Sequence, residues 1–272
     1  MMSTESKYCR ALLPAVMVLL VCLSQGCQDI AESNTGGAMK AGVFYPSAPD
    51  KPRLQFLTSI SKAGDLGAGP TEKVSGLEKF IVGEEEEVPE DWIGKPYGIA
   101  VYDGKIYVCD VQKRAVEVLD LKAKTFEYLS EERRMTNPVN MFIDRGIKYV
   151  ADPTAGRVFV FGRDNQLQAM LGGEQDLKPV DVAVREGRCY VSDMKSNQVV
   201  VLDVGTGEEL MRMGVAGGGD GQFTLIADIA LDGEGNVYVT DKALGRITKF
   251  NSEGGFQQTI GELGRSIHNF VR

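Results

Sequence analysis

The stretch YGIAVYDGKIYVCDVQKRAVEVLD (97–120) reads as three short apolar runs separated by DGK and VQKRA. Within each run Val, Ile, Tyr and Leu recur at every second residue, which favours strands over helices. The pattern then returns three times, as VNMFIDRGIKYVADPTAGRVFVFG (139–162), VDVAVREGRCYVSDMKSNQVVVLD (180–203) and ADIALDGEGNVYVTDKALGRITKFN (227–251). Each copy carries Tyr-Val-x-Asp, ending at Asp110, Asp152, Asp193 and Asp241, at intervals of 42, 41 and 48 residues. A further apolar run begins six residues after each aspartate, at Val116, Val158, Val199 and Ile247. Four copies with one internal spacing define a repeat protein.

One unit comprises a strand (GIAVY), a tight turn (DGK), a second strand (IYVCD), a five-residue loop and a third strand (AVEVLD). A polar turn such as 120–125 or 251–255 leads to a fourth, as in TFEYL or FQQTI. Four short strands in about 40 residues describe a propeller blade, whose two faces are covered only when neighbours stack around an axis. The expected class is therefore all-β, a β-propeller of four-stranded blades.

PYGIAVYDGKIYVCD and GGGDGQFTLIADIALDGEGNVYVTDKALGRITKF resemble NHL repeats, the units of a class of six-bladed β-propellers. The opening FYPSAPDKPRLQFLTSI is similar to that of bacterial lipoproteins of this kind. The resemblance covers roughly residues 44–272 and implies a six-bladed propeller, without fixing a function. Six blades at this period need about 250 residues. The repeats stop at Ile260, and GELGRSIHNFVR looks like the lead-in to another blade, so the propeller is expected to be incomplete at its C-terminus. A strand over 53–60 is then expected to lack its closing blade, leaving an unpaired edge beside 226–260. Residues 61–95 read as loop, with a short helix near 76–82 and the acidic run EEEEVPED (84–91), which is best read as solvated.

Residues 1–26 read as a signal peptide: Lys7 and Arg10 precede the apolar run Ala11–Leu23. LSQGC (23–27) resembles a bacterial lipobox, and the resemblance implies lipidation of Cys27, with ordinary secretory cleavage or an uncleaved anchor as the alternative; 27–42 then reads as a flexible tether to a propeller over 43–272. The expected location is the cell envelope, with the membrane reached through the lipid. Of five cysteines, Cys109 and Cys189 fall in the repeats, on opposite faces of blades two apart, so no disulfide is expected between them.

The net charge of −8 argues against nucleic acid as a partner. The single His268 leaves no histidine-ligated zinc of the amidating-lyase kind and no Ser/His/Asp triad. The four YVxD aspartates recur by rotation, which assigns them to structure, closing strand ends by hydrogen bonds. Gluconolactonase-like propellers, by resemblance, hold a divalent cation at the axis with Glu, Asn and Asp. Asn140, Asp181 and Asp228 share one first-strand position here, with Gly98 in the remaining copy. Such oxygen ligands would suit calcium, although a water-filled polar channel is the commoner use of these residues. The loops between second and third strands (VQKRA, PTAGR, MKSNQ, KALGR) carry Lys113, Arg114, Arg157, Lys195, Lys242 and Arg246 and no acid. They form a basic face on an acidic protein, fit for an envelope protein or acidic polymer, unless each cation neutralises the aspartate beside it. The favoured reading is a non-enzymatic binding scaffold needing no cofactor. The alternative is a calcium-dependent hydrolase or lactonase.

Overall fold

The computed structural model describes residues 43–45, 54–67, 91–130, 134–173 and 176–261. It divides into two units, Met1–Thr58 and Ser59–Arg272. In the first, β1 (Val43–Tyr45) and β2 (Leu54–Phe56) pair antiparallel, with Val43 opposite Phe56. The strand expected over 53–60 is thus only three residues long, and its partner precedes it in sequence. Pro46 follows β1 directly, and a proline has no N–H to offer a ladder. The proposed helix at 76–82, Cys27 and the segment after 261 lie outside the described residues.

The second unit opens with a single 3₁₀ turn, Ala63–Leu66, beside an antiparallel bridge between Lys62 and Trp92. Four meander sheets follow. Blade 1 comprises β3 (Pro96–Tyr102), β4 (Lys105–Asp110), β5 (Ala115–Asp120) and β6 (Thr125–Tyr128). Blade 2 comprises β7 (Asn140–Asp144), β8 (Ile147–Asp152), β9 (Arg157–Phe161) and β10 (Leu167–Leu171). Blade 3 comprises β11 (Pro179–Arg185), β12 (Arg188–Asp193), β13 (Gln198–Asp203) and β14 (Glu209–Met213). A short parallel pair, β15 (Val215–Ala216) and β16 (Gln222–Phe223), connects it to blade 4: β17 (Ile226–Leu231), β18 (Val237–Asp241), β19 (Arg246–Phe250) and β20 (Phe256–Ile260). Every blade pairs its strands in sequence order, each antiparallel to the next. Hairpins at Asp103-Gly104, Arg145-Gly146 and Glu186-Gly187 hold both residues at positive φ, the two-residue turn that matches strand twist.

Packing follows the period-two alternation. The tyrosine of each YVxD points forward to the next blade, and the valine after it points back. Tyr107, Cys109, Val116 and Val118 of blade 1 pack on Met141, Val150 and Phe159 of blade 2. Tyr149, Ala151, Val158 and Val160 pack on Val182, Val191, Val200 and Leu202 of blade 3. Ala183, Tyr190, Val199 and Val201 pack on Ile229, Val237, Val239 and Phe250 of blade 4. The first strands β3, β7, β11 and β17 contact one another in turn, which puts them at the axis. Gly98 permits this approach, because a Cβ there would lie 2.5 Å from Asn140 Oδ1 and 2.6 Å from the Val139 carbonyl.

The back of blade 1 is only half covered. Ile60, Leu66 and Ile93 pack on Ile106, Val108 and Leu119, whereas Ile99 and Val101 remain 65% and 70% exposed. Among the described residues a buried core joins blade 1 to 2, 2 to 3 and 3 to 4 but none joins blade 4 to blade 1, so these four sheets do not close on one another.

Cys109 and Cys189 are free thiols, both fully buried, in different inter-blade cores. Burial pushes both thiols up, Cys189 to about 12, so neither ionises or reacts in the native fold. Peptide mapping after alkylation should find both unmodified in buffer and both modified in urea.

Candidate functional site

Each strand-end aspartate gathers backbone donors from two loops. Asp110 accepts the N–H groups of Gly94 and Lys95, which lead into β3, and those of Gln112 and Lys113 in the following loop. Asp152 accepts from Thr136, Asn137, Thr154 and Ala155. Asp241 accepts from Thr224, Leu225, Ala243 and Leu244. Asp193 takes Lys178, Lys195 and Ser196, with the Ser196 hydroxyl at 2.6 Å in addition. All four carboxylates are almost inaccessible to solvent. Burial pushes the Asp110 carboxyl up, but the N–H groups of Lys113, Lys95, Gly94 and Gln112 outweigh it and hold the group below its usual value.

Because backbone donors satisfy the aspartates, no ion pair joins them to the six loop cations among the described residues. The cations go elsewhere. Lys113 Nζ reaches the Trp92 carbonyl and the Tyr128 hydroxyl and lies 5.1, 5.5 and 5.7 Å from the ring centres of Trp92, Phe126 and Tyr128. It also stands 3.2 Å from Glu117 Oε1. Neither Glu117 oxygen has a donor aligned for a hydrogen bond. Arg246 donates to the carbonyls of Gly219 and Gln222, and Arg157 lies against Met170. Lys195 pairs with Asp176. Arg114, Lys195 and Lys242 are exposed. With Lys195 engaged by Asp176, the free basic face rests on Arg114 and Lys242.

Arg114 is held at φ +56°, in the left-handed region. The same place in the other three loops is filled by Gly156, Asn197 and Gly245, at φ +67°, +52° and +58°. Glycine and asparagine adopt this conformation readily, and other residues pay about 1–2 kcal/mol for it.

The axial trio divides. Asp181 Oδ1 accepts Val182 N–H and Oδ2 accepts Ile229 N–H, both at 2.8 Å, clasping blade 3 to blade 4. Asn140 Oδ1 accepts Met141 N–H at 3.0 Å. Asp228 is exposed and meets the Thr240 hydroxyl at 3.2 Å. Each side chain thus has a protein partner, and among the described residues no three or more His, Cys, Asp or Glu group to hold a metal. Gly98 is space for Asn140 rather than a lost ligand.

A cleft of about 320 Å³ opens among the first hairpins, lined by Phe142, Asp144, Arg145, Val184, Arg185, Glu186, Leu231 and Asp232. Its charges are engaged locally. Arg185 donates to the carbonyls of Asp232 and Gly233 and pairs with Glu186 at 3.2 Å. Asp232, held near pKa 2 chiefly by the Asn236 side chain, also accepts the Tyr238 hydroxyl. None of the lining residues is a nucleophile paired with a base.

Two buried charged residues escaped the sequence reading. Glu117 and Lys148 each occupy a backward-facing core position filled by apolar residues in most other copies. Lys148 Nζ donates to the Gly162 carbonyl at 3.0 Å and to Asn165, closing the hairpin beyond β9. The signal was present as a charge breaking the apolar set at an aligned position.

No family model matches the sequence. The fold is similar to that of a streptogramin B lyase, with a TM-score of 0.52 at 13% identity over 62% of this chain and 54% of that one. It is similar to virginiamycin B lyase from Staphylococcus aureus in a catalytically inactive form with quinupristin, at TM-score 0.51, 14% identity and 61% and 55% coverage. A protein of unknown function from Bacteroides thetaiotaomicron matches at TM-score 0.51 and 14% identity, over 62% of this chain and 44% of that one. The chain thus spans about half the length of the solved structures it matches. At this identity the likeness defines a β-propeller and carries no activity with it.

Replacing Asp152 by alanine should cost about 3 kcal/mol in urea denaturation, because four buried N–H groups lose their acceptor. A second prediction concerns pH. Burial is the main cause that raises the carboxyls of Asp181 and Glu117, each to about 7, against ordinary values of 3.8 and 4.5. A carboxyl raised by folding binds its proton more tightly in the folded chain. Its contribution to stability is therefore complete below about pH 4 and is lost as pH rises through 7. The melting temperature should fall between pH 5 and pH 8, and Asp181→Asn and Glu117→Gln should each flatten that slope.

Proposed function

We propose that the protein is a non-enzymatic binding propeller of the NHL type, tethered to the bacterial envelope through lipid on Cys27. Its ligand is an acidic protein or polymer met by the loops between second and third strands. Arg114 carries this reading. It is exposed, basic and held in a backbone conformation that the other blades reserve for glycine or asparagine. Strain of this kind is retained where a side chain is needed. Lys242 is exposed in the corresponding loop of blade 4, as is Lys195 in that of blade 3, although Asp176 pairs with it. On a protein of negative net charge a polyanion meets least repulsion at such basic loops.

Poly-L-glutamate is the direct probe. It should bind with an affinity that falls several-fold as salt is raised from about 50 to 200 mM. Arg114→Gly should weaken binding and also raise stability by about 1 kcal/mol, by relieving the left-handed arginine. Lys242→Glu should weaken binding without that gain. Absence of binding, or binding indifferent to both changes, would remove the basic-face reading. A rise in melting temperature with calcium, lost in Asp228→Asn, would favour the axial hydrolase instead. Cys27→Ala should release the protein from membranes, and unchanged association would remove the anchor.

A further inference from the structure

Lys113 and Glu117 form a charge pair that the other three blades lack. Four residues apart, they stand where those blades carry Ala155 and Phe159, Ser196 and Val200, and Leu244 and Thr248. The Glu117 side chain is fully shielded from solvent, and Lys113 Nζ lies 3.2 Å from its Oε1. A buried carboxylate ordinarily gathers several donors. Glu117 has none aligned on either oxygen, so the lysine charge is what offsets its burial. Lys113 is held in turn by the carbonyl and ring of Trp92, the ring of Phe126, and the ring and hydroxyl of Tyr128. Its side chain is 17% exposed, whereas that of Arg114, the next residue of the same loop, is exposed to solvent. One cation of the loop is thus turned inward onto an ionisable group, beside another that faces out.

We infer that protonation of Glu117 releases Lys113 from its aromatic cage onto the loop face beside Arg114. A polyanion is then gripped more tightly in mildly acid medium, a consequence that rests on the basic-face reading, whereas the release itself does not. The groups that face Glu117 are Lys113 from the loop, Asp110 from the end of β4 and the Tyr128 hydroxyl from β6, with Asp91 3.4 Å from that hydroxyl. Ile60, Leu66 and Ile93, which cover this side of the sheet, bring no charge. Burial is the main cause that raises the Glu117 carboxyl to about 7; Lys113 lowers it and Asp110 raises it. Asp110 accepts four backbone N–H groups and stays ionised, so Glu117 is the carboxyl of the two that takes the proton. An ionised Glu117 favours the lysine inside, and by linkage a lysine outside lets Glu117 keep its proton. The ion pair is therefore complete above pH 7 and lost as pH falls through it. A neutral Glu117 leaves the ammonium half-buried without a counter-charge, and the long lysine stem lets it return to water. The way out is short, because Trp92, one wall of the cage, is 46% exposed.

Trp92 is the single tryptophan of the chain, so intrinsic fluorescence of the full-length protein reads the cage directly. Between about pH 8 and pH 5.5 its emission should pass through a one-proton transition centred within about one unit of pH 7. Glu117→Gln should abolish that transition and show the acid-form emission throughout. In the same buffers poly-L-glutamate, ionised above about pH 6, should bind the parent several-fold more tightly at pH 6 than at pH 8. Glu117→Gln should bind at pH 8 as the parent does at pH 6, and Lys113→Gln should lose the difference. Circular dichroism checks that each variant is folded, and the double variant Lys113→Gln/Glu117→Gln replaces Lys113→Gln if that one is not. An emission that does not titrate, or a transition that survives in Glu117→Gln, would overturn the release. Binding equal at pH 6 and pH 8 in a parent whose emission titrates would overturn the gain in grip. No binding at either pH, with the transition present, would uphold the release and remove the basic-face reading instead.

Discussion

One buried carboxylate per blade holds the loops to the sheet. The aspartate ends the second strand and takes N–H groups from the chain that leads into the first strand, 15 to 17 residues earlier, and from the loop two and three residues later. Those donors lie where water is excluded, and each unsatisfied one would cost about 1–3 kcal/mol. An anionic acceptor with four lone-pair directions meets several of them at once, more than any neutral side chain can. Its position also fixes where the first strand starts, and hence how that strand lies against its neighbour at the axis.

The blades depend on one another because neither face of a four-stranded sheet can stay in water. Alternation sends the tyrosine of YVxD forward and the valine back, so one blade's forward set meets the next blade's backward set. The three resulting cores contain valine, leucine and phenylalanine with little exposed surface. Not every buried polar group is satisfied, since the hydroxyls of Ser192 and Thr248 have no hydrogen-bond partner. Lys148 finds carbonyls, whereas Glu117 finds only the Lys113 ammonium and is pushed toward its neutral form by burial. Asp181 works differently, since its two backbone partners lie on two blades.

Much of this was legible in the sequence, for reasons that differ by residue. The four-stranded blade and its period were visible because alternation and the YVxD spacing are local. The second set of donors to each aspartate was not visible, because only the folded hairpin brings Gly94 or Thr224 beside a residue so far along the chain. Equivalence placed Asn140, Asp181 and Asp228 together near the axis, but it could not show that Asp181 turns its oxygens to backbone N–H groups. The six loop cations looked alike in one dimension. In three, Lys113 is drawn into an aromatic cage whose walls come from Trp92, Phe126 and Tyr128. The hairpin of β1 and β2 was missed because three residues carry too short an alternation to recognise.

The way the aspartate binds its loop explains how that loop can vary. VQKRA, PTAGR, MKSNQ and KALGR share almost no side chains, yet each returns the same N–H groups to the same carboxylate and passes through one left-handed residue before the third strand. A backbone donor is present whatever the residue, proline excepted, so the turn places few demands on side-chain identity. Pro153 in the second loop falls just after the aspartate, at a position whose N–H takes no part in the contact. Only the left-handed site is selective, and Arg114 is the one residue there that is neither glycine nor asparagine. The loop tips are thus the part of each blade where side chains can change without loosening the fold.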